Sequence, residues 1–172
     1  MRHLDPSQQL PAMHPHETLI REFYGAFARG DAEGMARCYH PEVFFSDTVF
    51  PNLHGQEAGD MWRMLLSRAT DLQVTLDEAK ADADGGTAHW TATYTFTRTR
   101  RGVVNRIAAK FAFRDELIVR HIDSFPFWRW AAQALGPAGQ LLGWFPPLKW
   151  KVQKDADKGL RQFQAKRTGD PA

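Results

Sequence analysis

The sequence has a single cysteine, Cys38, in 172 residues. One thiol excludes an internal disulfide and any multi-cysteine metal site. Cys38 falls near the end of an expected helix, where a small buried hydrophobe fits better than a reactive thiol. Long apolar runs are also missing: none approaches the ~18 residues of a membrane-spanning helix. Met1 to His16 has no continuous apolar stretch and carries Asp5, Pro6, Pro11 and Pro15, so it does not read as a secretory signal. These absences point to a cytoplasmic, reducing compartment. The net charge is only +2, which gives no whole-molecule case for nucleic acid. The chain has no phosphate loop, no serine or cysteine in a nucleophile elbow and no His-x-x-x-His pair on a convincing helix. Neither metal nor cofactor is expected, and no internal repeat appears.

What is present is enough apolar sequence for a core. The chain is 43% hydrophobic and 24% charged, the balance of a folded domain. Met1 to Pro15 reads as a mobile leader. Leu19, Ile20, Phe23 and Phe27 then make one helical stripe. Gly30 stops that helix, and Asp31 caps a short second one carrying Met35 and Tyr39, which Pro41 ends. Val43 to Phe50 reads as a strand with Val43, Phe45, Asp47 and Val49 on one face. Gly55 to Ser67 reads as a third helix with Met61, Met64 and Leu65 inward.

Four hairpin-linked strands are expected next. They cover 71–80, 87–98, 103–113 and 117–125, with a strong turn signal at Asp82-Ala-Asp-Gly-Gly86. Ala88, Trp90, Ala92, Tyr94 and Phe96 alternate with threonines, so the aromatic face is the buried one. In the last strand Val119, His121, Asp123 and Phe125 share a face. Helices followed by such strands imply α+β: three N-terminal helices packed on one face of a strongly curved, cone-shaped antiparallel sheet. The domain spans 16–125, and 126–172 is an extension.

With these elements in place, the chain resembles the nuclear transport factor 2-like superfamily, which includes ketosteroid isomerase, limonene epoxide hydrolase and the SnoaL-like polyketide cyclases. The resemblance covers Glu17 to Phe125. It is carried by Phe23-Tyr-Gly-Ala-Phe-Ala-Arg-Gly-Asp31, Pro41-Glu-Val-Phe-Phe-Ser-Asp47, Leu53-His-Gly55, Phe111-Ala-Phe-Arg-Asp115 and Ile118-Val-Arg-His-Ile-Asp-Ser-Phe125. It implies that Asp47 stands where ketosteroid isomerases keep the carboxylate that moves a proton beside a carbonyl. Their oxyanion donors would fall near Phe23 and at Ala109, neither of which can donate. Asp123 falls where the epoxide hydrolases keep a water-activating carboxylate, but their Arg-x-Asp partner is replaced by Arg98-Thr-Arg100. The resemblance also implies a homodimer through the sheet.

Asp47, Asp123 and His121 are therefore the candidate catalytic residues. A carboxylate among aromatic rings has its pKa raised by desolvation, which suits it to proton transfer near neutral pH. Tyr24, Phe45, His54, Trp62, Trp90, Tyr94 and Phe111 are the candidate ligand-binding residues. Two readings stay open. One is a cofactor-independent acid-base enzyme of isomerase, cyclase or hydrolase type acting on a small apolar or cyclic molecule. The other is non-catalytic: a pocket that binds an apolar ligand, or a dimeric scaffold whose pocket is filled by its own side chains, Trp128 or Trp144. In the extension, 127–135 reads as a short helix and 141–147 as apolar and irregular. Lys149 to Arg167 then carries five lysines and two arginines against Asp155 and Asp157. Trp144, Phe145 and Trp150 beside that charge cap the cone, bury in a dimer, or touch an anionic membrane surface.

Overall fold

The computed structural model describes residues 12–169. Its elements run α1 (Pro15–Ala28), α2 (Ala32–Arg37), β1 (Tyr39–Ser46), β2 (Leu53–His54), α3 (Gln56–Arg68), β3 (Gln73–Ala81), β4 (Gly86–Phe96), β5 (Arg101–Arg114), β6 (Leu117–Ser124), α4 (Phe127–Ala134), α5 (Pro137–Leu142) and α6 (Pro146–Thr168). The strands form one curled, unclosed sheet in the order β2-β1-β6-β5-β4-β3. Among the described residues no helix is long and apolar enough to cross a membrane.

The sheet is mixed rather than wholly antiparallel. β3 to β6 form the expected meander, but β1 runs parallel to β6. No hairpin joins those two strands, so no tight turn dictates their direction. The pairing sets Phe45 beside His121 and Ser46 beside Ile122. Continued by one residue, that register brings Asp47 toward Asp123.

The helices form where the apolar stripe required. Ile20, Phe23, Tyr24 and Phe27 of α1 are buried, and Gly30 ends the helix with φ +71°. Asp31 caps α2 by accepting the Gly34 N–H at 2.8 Å. In α3, Met61 and Met64 point inward as expected, but Leu65 is exposed and Trp62 is buried instead.

Two local departures shape the interior. β1 starts at Tyr39, passes through Pro41 and stops at Ser46, so Asp47 lies just beyond the strand rather than within it. In β6, Phe113 pairs with Ile118 and Ala112 with Arg120, which leaves Val119 as an extra residue. This bulge puts Ile118, not Val119, on the buried face, while His121 and Asp123 stay inside as alternation required.

The extension folds back on the domain as three helices. β5 outruns β6 at its first half, and the carboxamide of Gln133 on α4 covers that open edge. Gln133 Oε1 accepts the Val104 N–H at 2.8 Å, and its Nε2 donates to the Val104 carbonyl at 3.2 Å. The segment expected to be irregular, 141–147, holds the end of α5 and the start of the 23-residue α6. Leu160 of α6 is fully buried in the main core, a contribution of about 1.5–3 kcal/mol. Arg161 pairs with Glu57 at 2.7 Å, and Asp60 accepts from Arg63, Gln164 and Arg167.

Candidate functional site

The curled sheet, α3, α4 and α6 enclose a cavity of about 430 Å³. Phe27, Trp62, Trp90, Ile107, Phe125 and Trp130 give it mainly apolar walls, and Asp47 and Asp123 are its two inner carboxyl groups. Leu65, Arg68, Asp71 and Arg98 stand toward its rim. Val152 and Ala156 of α6 form part of its wall.

Asp47 owes its position to a turn that its own side chain closes. The Asp47 N–H donates to the Phe50 carbonyl at 2.9 Å, and its Oδ1 accepts the N–H groups of Val49 at 2.7 Å and Phe50 at 2.5 Å. This self-capping is what ends β1. Both bonds fall on Oδ1, which leaves Oδ2 uncommitted among the described residues. Burial pushes the Asp47 carboxyl up to about 7, and the nearby negative charge of Asp123 adds to that rise, against the lowering effect of the two backbone donors. Gln153 of α6 donates to the Thr48 carbonyl at 3.0 Å, and Thr48 Oγ1 donates to the Phe125 carbonyl at 3.1 Å, so the turn is held from two sides.

Asp123 ends a buried relay. Trp62 Nε1 donates to Tyr39 Oη at 2.9 Å, and Tyr39 Oη lies 2.8 Å from His121 Nδ1. Burial raises the Tyr39 hydroxyl well above its ordinary pKa, so it keeps its proton. The tyrosine oxygen already accepts from Trp62, so its hydrogen goes to Nδ1. His121 is thereby assigned as the Nε2–H tautomer, and it donates to Asp123 Oδ1 at 3.0 Å. Trp90 Nε1 donates to the same oxygen at 3.3 Å. Every hydrogen-bonding group in this relay has a partner, as burial demands. Asp123 pairs across the sheet with Ala109, itself paired with Ala88. These small residues leave the room in which the Trp90 indole reaches the carboxylate.

The sequence-derived candidates separate into three sets. Asp47, Asp123, Trp62, Trp90 and Tyr94 line the cavity. His121, Tyr24 and Phe45 are buried behind that lining, and Phe111 packs on His121 with ring centroids 4.4 Å apart. His121 thus touches Asp123 rather than the cavity. Among the described residues the buried Tyr24 hydroxyl has no hydrogen-bond partner; the Trp90 indole nearby is committed to Asp123. His54 lies on the exposed surface of β2, bonded to Asn52 and away from the cavity. Trp128 and Trp144, the side chains expected to fill the interior, are exposed at 53% and 74%. Trp130 takes the inward place, because α4 turns that side of its helix toward β4 and β5.

Trp130 also completes a feature that sequence reasoning did not find. Its Nε1 donates to Tyr94 Oη at 2.9 Å. Burial raises the Tyr94 hydroxyl above its ordinary pKa, so it stays protonated. With its oxygen occupied by the indole donor, Tyr94 has its own hydrogen free for the cavity. Cys38 is buried, bonded to the Gly34 carbonyl, and its thiol is pushed up to about 11 by burial, so it is inert.

Comparison with known proteins bears on the family and the fold. The family model described as a SnoaL-like domain matches residues 20–121. No curated protein sequence matches the chain. Among solved structures, an epoxide hydrolase of Mycobacterium tuberculosis, described as LEH-like, aligns with a TM-score of 0.61 at 15% identity, covering 79% of this chain and 99% of its own. A hypothetical protein of ketosteroid isomerase-like fold from Catenulispora acidiphila, in complex with trimethylamine, aligns with a TM-score of 0.61 at 15% identity, covering 76% of this chain and 97% of its own. TerC, co-crystallized with polyporic acid, aligns with a TM-score of 0.55 at 19% identity, covering 64% of this chain and 91% of its own. At these identities the likeness is one of fold.

Proposed function

Because the chain belongs to the SnoaL-like domain family of the nuclear transport factor 2-like superfamily, we propose that its cavity binds a small apolar or cyclic molecule and performs cofactor-independent acid-base chemistry on it. The observation that carries this reading is Asp47: a carboxyl near pKa 7, with one oxygen uncommitted, on a mainly apolar cavity. Such a group exists in both protonation states at neutral pH, so it can take a proton and return it.

The roles follow from the geometry. Asp47 moves the proton. Tyr94, oriented by Trp130, donates to the oxygen on which negative charge develops. Asp123, held by His121 and Trp90 through Oδ1, presents Oδ2 to the substrate or to an attacking water. His121 is a positioning residue. The substrate class is a hydrophobic carbonyl compound or epoxide, and the reaction is of isomerase, cyclase or hydrolase type. Two neighbours of the same fold were crystallised with small organic molecules, polyporic acid and trimethylamine, which supports ligand binding as a use of this fold. A homodimer through the outer face of the sheet belongs to the same proposal and is read directly by sedimentation.

A second reading, binding without turnover, is favoured by one observation. Phe23 and Ala109, where the resemblance puts oxyanion donors, are buried and carry none. The two readings part on one experiment. A panel of cyclic ketones, enones and epoxides is incubated with the protein in deuterium oxide, and label uptake or ring opening is followed by mass spectrometry. The enzyme reading expects turnover that Asp47→Asn lowers by at least about a hundredfold. Saturable binding with no label uptake or ring opening replaces it with the pocket reading.

A further inference from the structure

The described residues include nine exposed large hydrophobic side chains, and six of them fall in one short segment. Trp128, Leu141, Leu142, Trp144, Phe145 and Trp150 are 44% to 74% exposed. They lie on α4, on the end of α5, in the link after it and on the first turns of α6, a corner in which α4 packs against α5. Gly143 packs so closely on the Trp128 backbone that an added Cβ would lie 3.1 Å from the Trp128 Cα, and the Trp144 and Phe145 rings stand 6.1 Å apart. An apolar cluster of this kind marks a contact surface rather than a scatter of single residues.

The charge around the corner is mainly positive. From Ser124 to Lys154 the chain has no aspartate or glutamate, while Arg129, Lys149, Lys151 and Lys154 are cationic. The next residue, Asp155, lies 3.4 Å from Lys151 and from Arg98, and leaves Arg129, Lys149 and Lys154 in excess. Arg129 lies over the Trp128 ring at 5.1 Å. On α6, Trp150, Lys151 and Lys154 share the outward side, and Val152, Ala156 and Leu160 face the domain. Tryptophan and leucine projecting from a rim of lysine and arginine is the pattern that enters the boundary between headgroup and acyl chain of an anionic bilayer.

We propose that this corner is a peripheral docking surface for an anionic lipid bilayer. Charge decides between the bilayer and a second copy of the chain. A two-fold contact through this face would set its own cations against themselves, with Asp155, already shared by Lys151 and Arg98, as the one acid beside them. A bilayer bearing phosphatidylserine or phosphatidylglycerol answers both the charge and the apolar side chains. The surface is separate from the cavity chemistry and does not depend on it.

The test uses the full chain and two kinds of vesicle, phosphatidylcholine alone and phosphatidylcholine containing phosphatidylglycerol. Co-sedimentation at low salt is expected to pellet the protein with the anionic vesicles only, with a blue shift of tryptophan emission and release as salt is raised. Trp144→Ser/Phe145→Ser and Lys151→Glu/Lys154→Glu are each expected to lower the partition coefficient by more than about tenfold. Both pairs are exposed, and circular dichroism checks that the variants stay folded. Absence of binding at low salt overturns the proposal, as does equal binding to both vesicle types. Unchanged binding by the Trp144→Ser/Phe145→Ser variant also overturns it. So does a wild-type dimer that this variant converts to monomer, since a second copy then covers the corner.

Discussion

His121 Nε2 lies 3.0 Å from Asp123 Oδ1, and the two side chains are 0% and 3% exposed. One is wholly interior and the other opens only on the cavity. The histidine fixes which oxygen of Asp123 is occupied, and Tyr39 fixes which nitrogen of the histidine carries hydrogen. The relay extends from α3 through β1 and β6, so the carboxylate that faces the cavity is held by the core itself.

Removing the middle of that relay orphans both ends. His121→Phe leaves the Tyr39 hydroxyl and Asp123 Oδ1 short of a buried partner, at about 1–3 kcal/mol for each group. We expect a loss of roughly 3–5 kcal/mol by urea denaturation, with Asp123→Asn costing much less because its carbonyl still accepts from His121 and Trp90. A His121→Phe loss below about 1 kcal/mol would show that the relay contributes little.

Asp47 makes stability depend on pH. Its folded pKa of about 7 lies above the ordinary 3.8, so the folded state holds this proton more tightly than the unfolded chain does. The stability from that proton is full below about pH 4, declines as pH rises through the window, and is gone above about pH 7. Asp47→Asn keeps the acceptor for Val49 and Phe50 and removes the charge. It is expected to stabilise the protein above pH 7 by up to roughly 4 kcal/mol and by clearly less near pH 5. Denaturation curves at the two pH values check this; an equal effect at both assigns the change to something other than titration.

Much of this interior was legible in the sequence. Strict alternation put Trp90 and Tyr94 on one face, and the same period aimed His121 and Asp123 together. Asp47 was visible as a carboxylate amid aromatics. Other features depend on contacts far apart in the chain. The parallel β1–β6 pairing has no local turn to announce it. The Val119 bulge is an extra residue whose presence only the β5 register reveals. Trp128 and Trp130 are equivalent on composition, and the direction in which α4 docks decides which is buried. The run from Lys149 to Arg167 showed its charge and not its helix, because its inward positions, Val152, Ala156, Leu160 and Phe163, are spaced among lysines.

Tyr94→Phe removes one hydroxyl donor of the cavity while keeping the ring. A carbonyl-bearing ligand is expected to bind about tenfold more weakly, and a hydrocarbon of the same shape equally well. Isothermal titration with the two ligands separates a donor from a wall; equal losses for both would make Tyr94 a wall only.

Asp60 tests how α6 is held. It accepts from Gln164 and Arg167 of α6 and from Arg63 of its own helix. Asp60→Ala leaves those donors without their shared acceptor and loosens α6 from α3. Amide exchange is expected to speed up across 146–168, with the change spreading to the Thr48 turn through Gln153. Unchanged exchange in α6 would show that Leu160 packing alone holds the helix.

The most direct measurement of the central claim is a carbon-13 NMR titration of the Asp47 carboxyl, without ligand and with the cavity filled by an apolar molecule. The account predicts a midpoint near 7 in the free protein and a higher one when the ligand displaces water. A midpoint near 3.8, unmoved by the ligand, would contradict it.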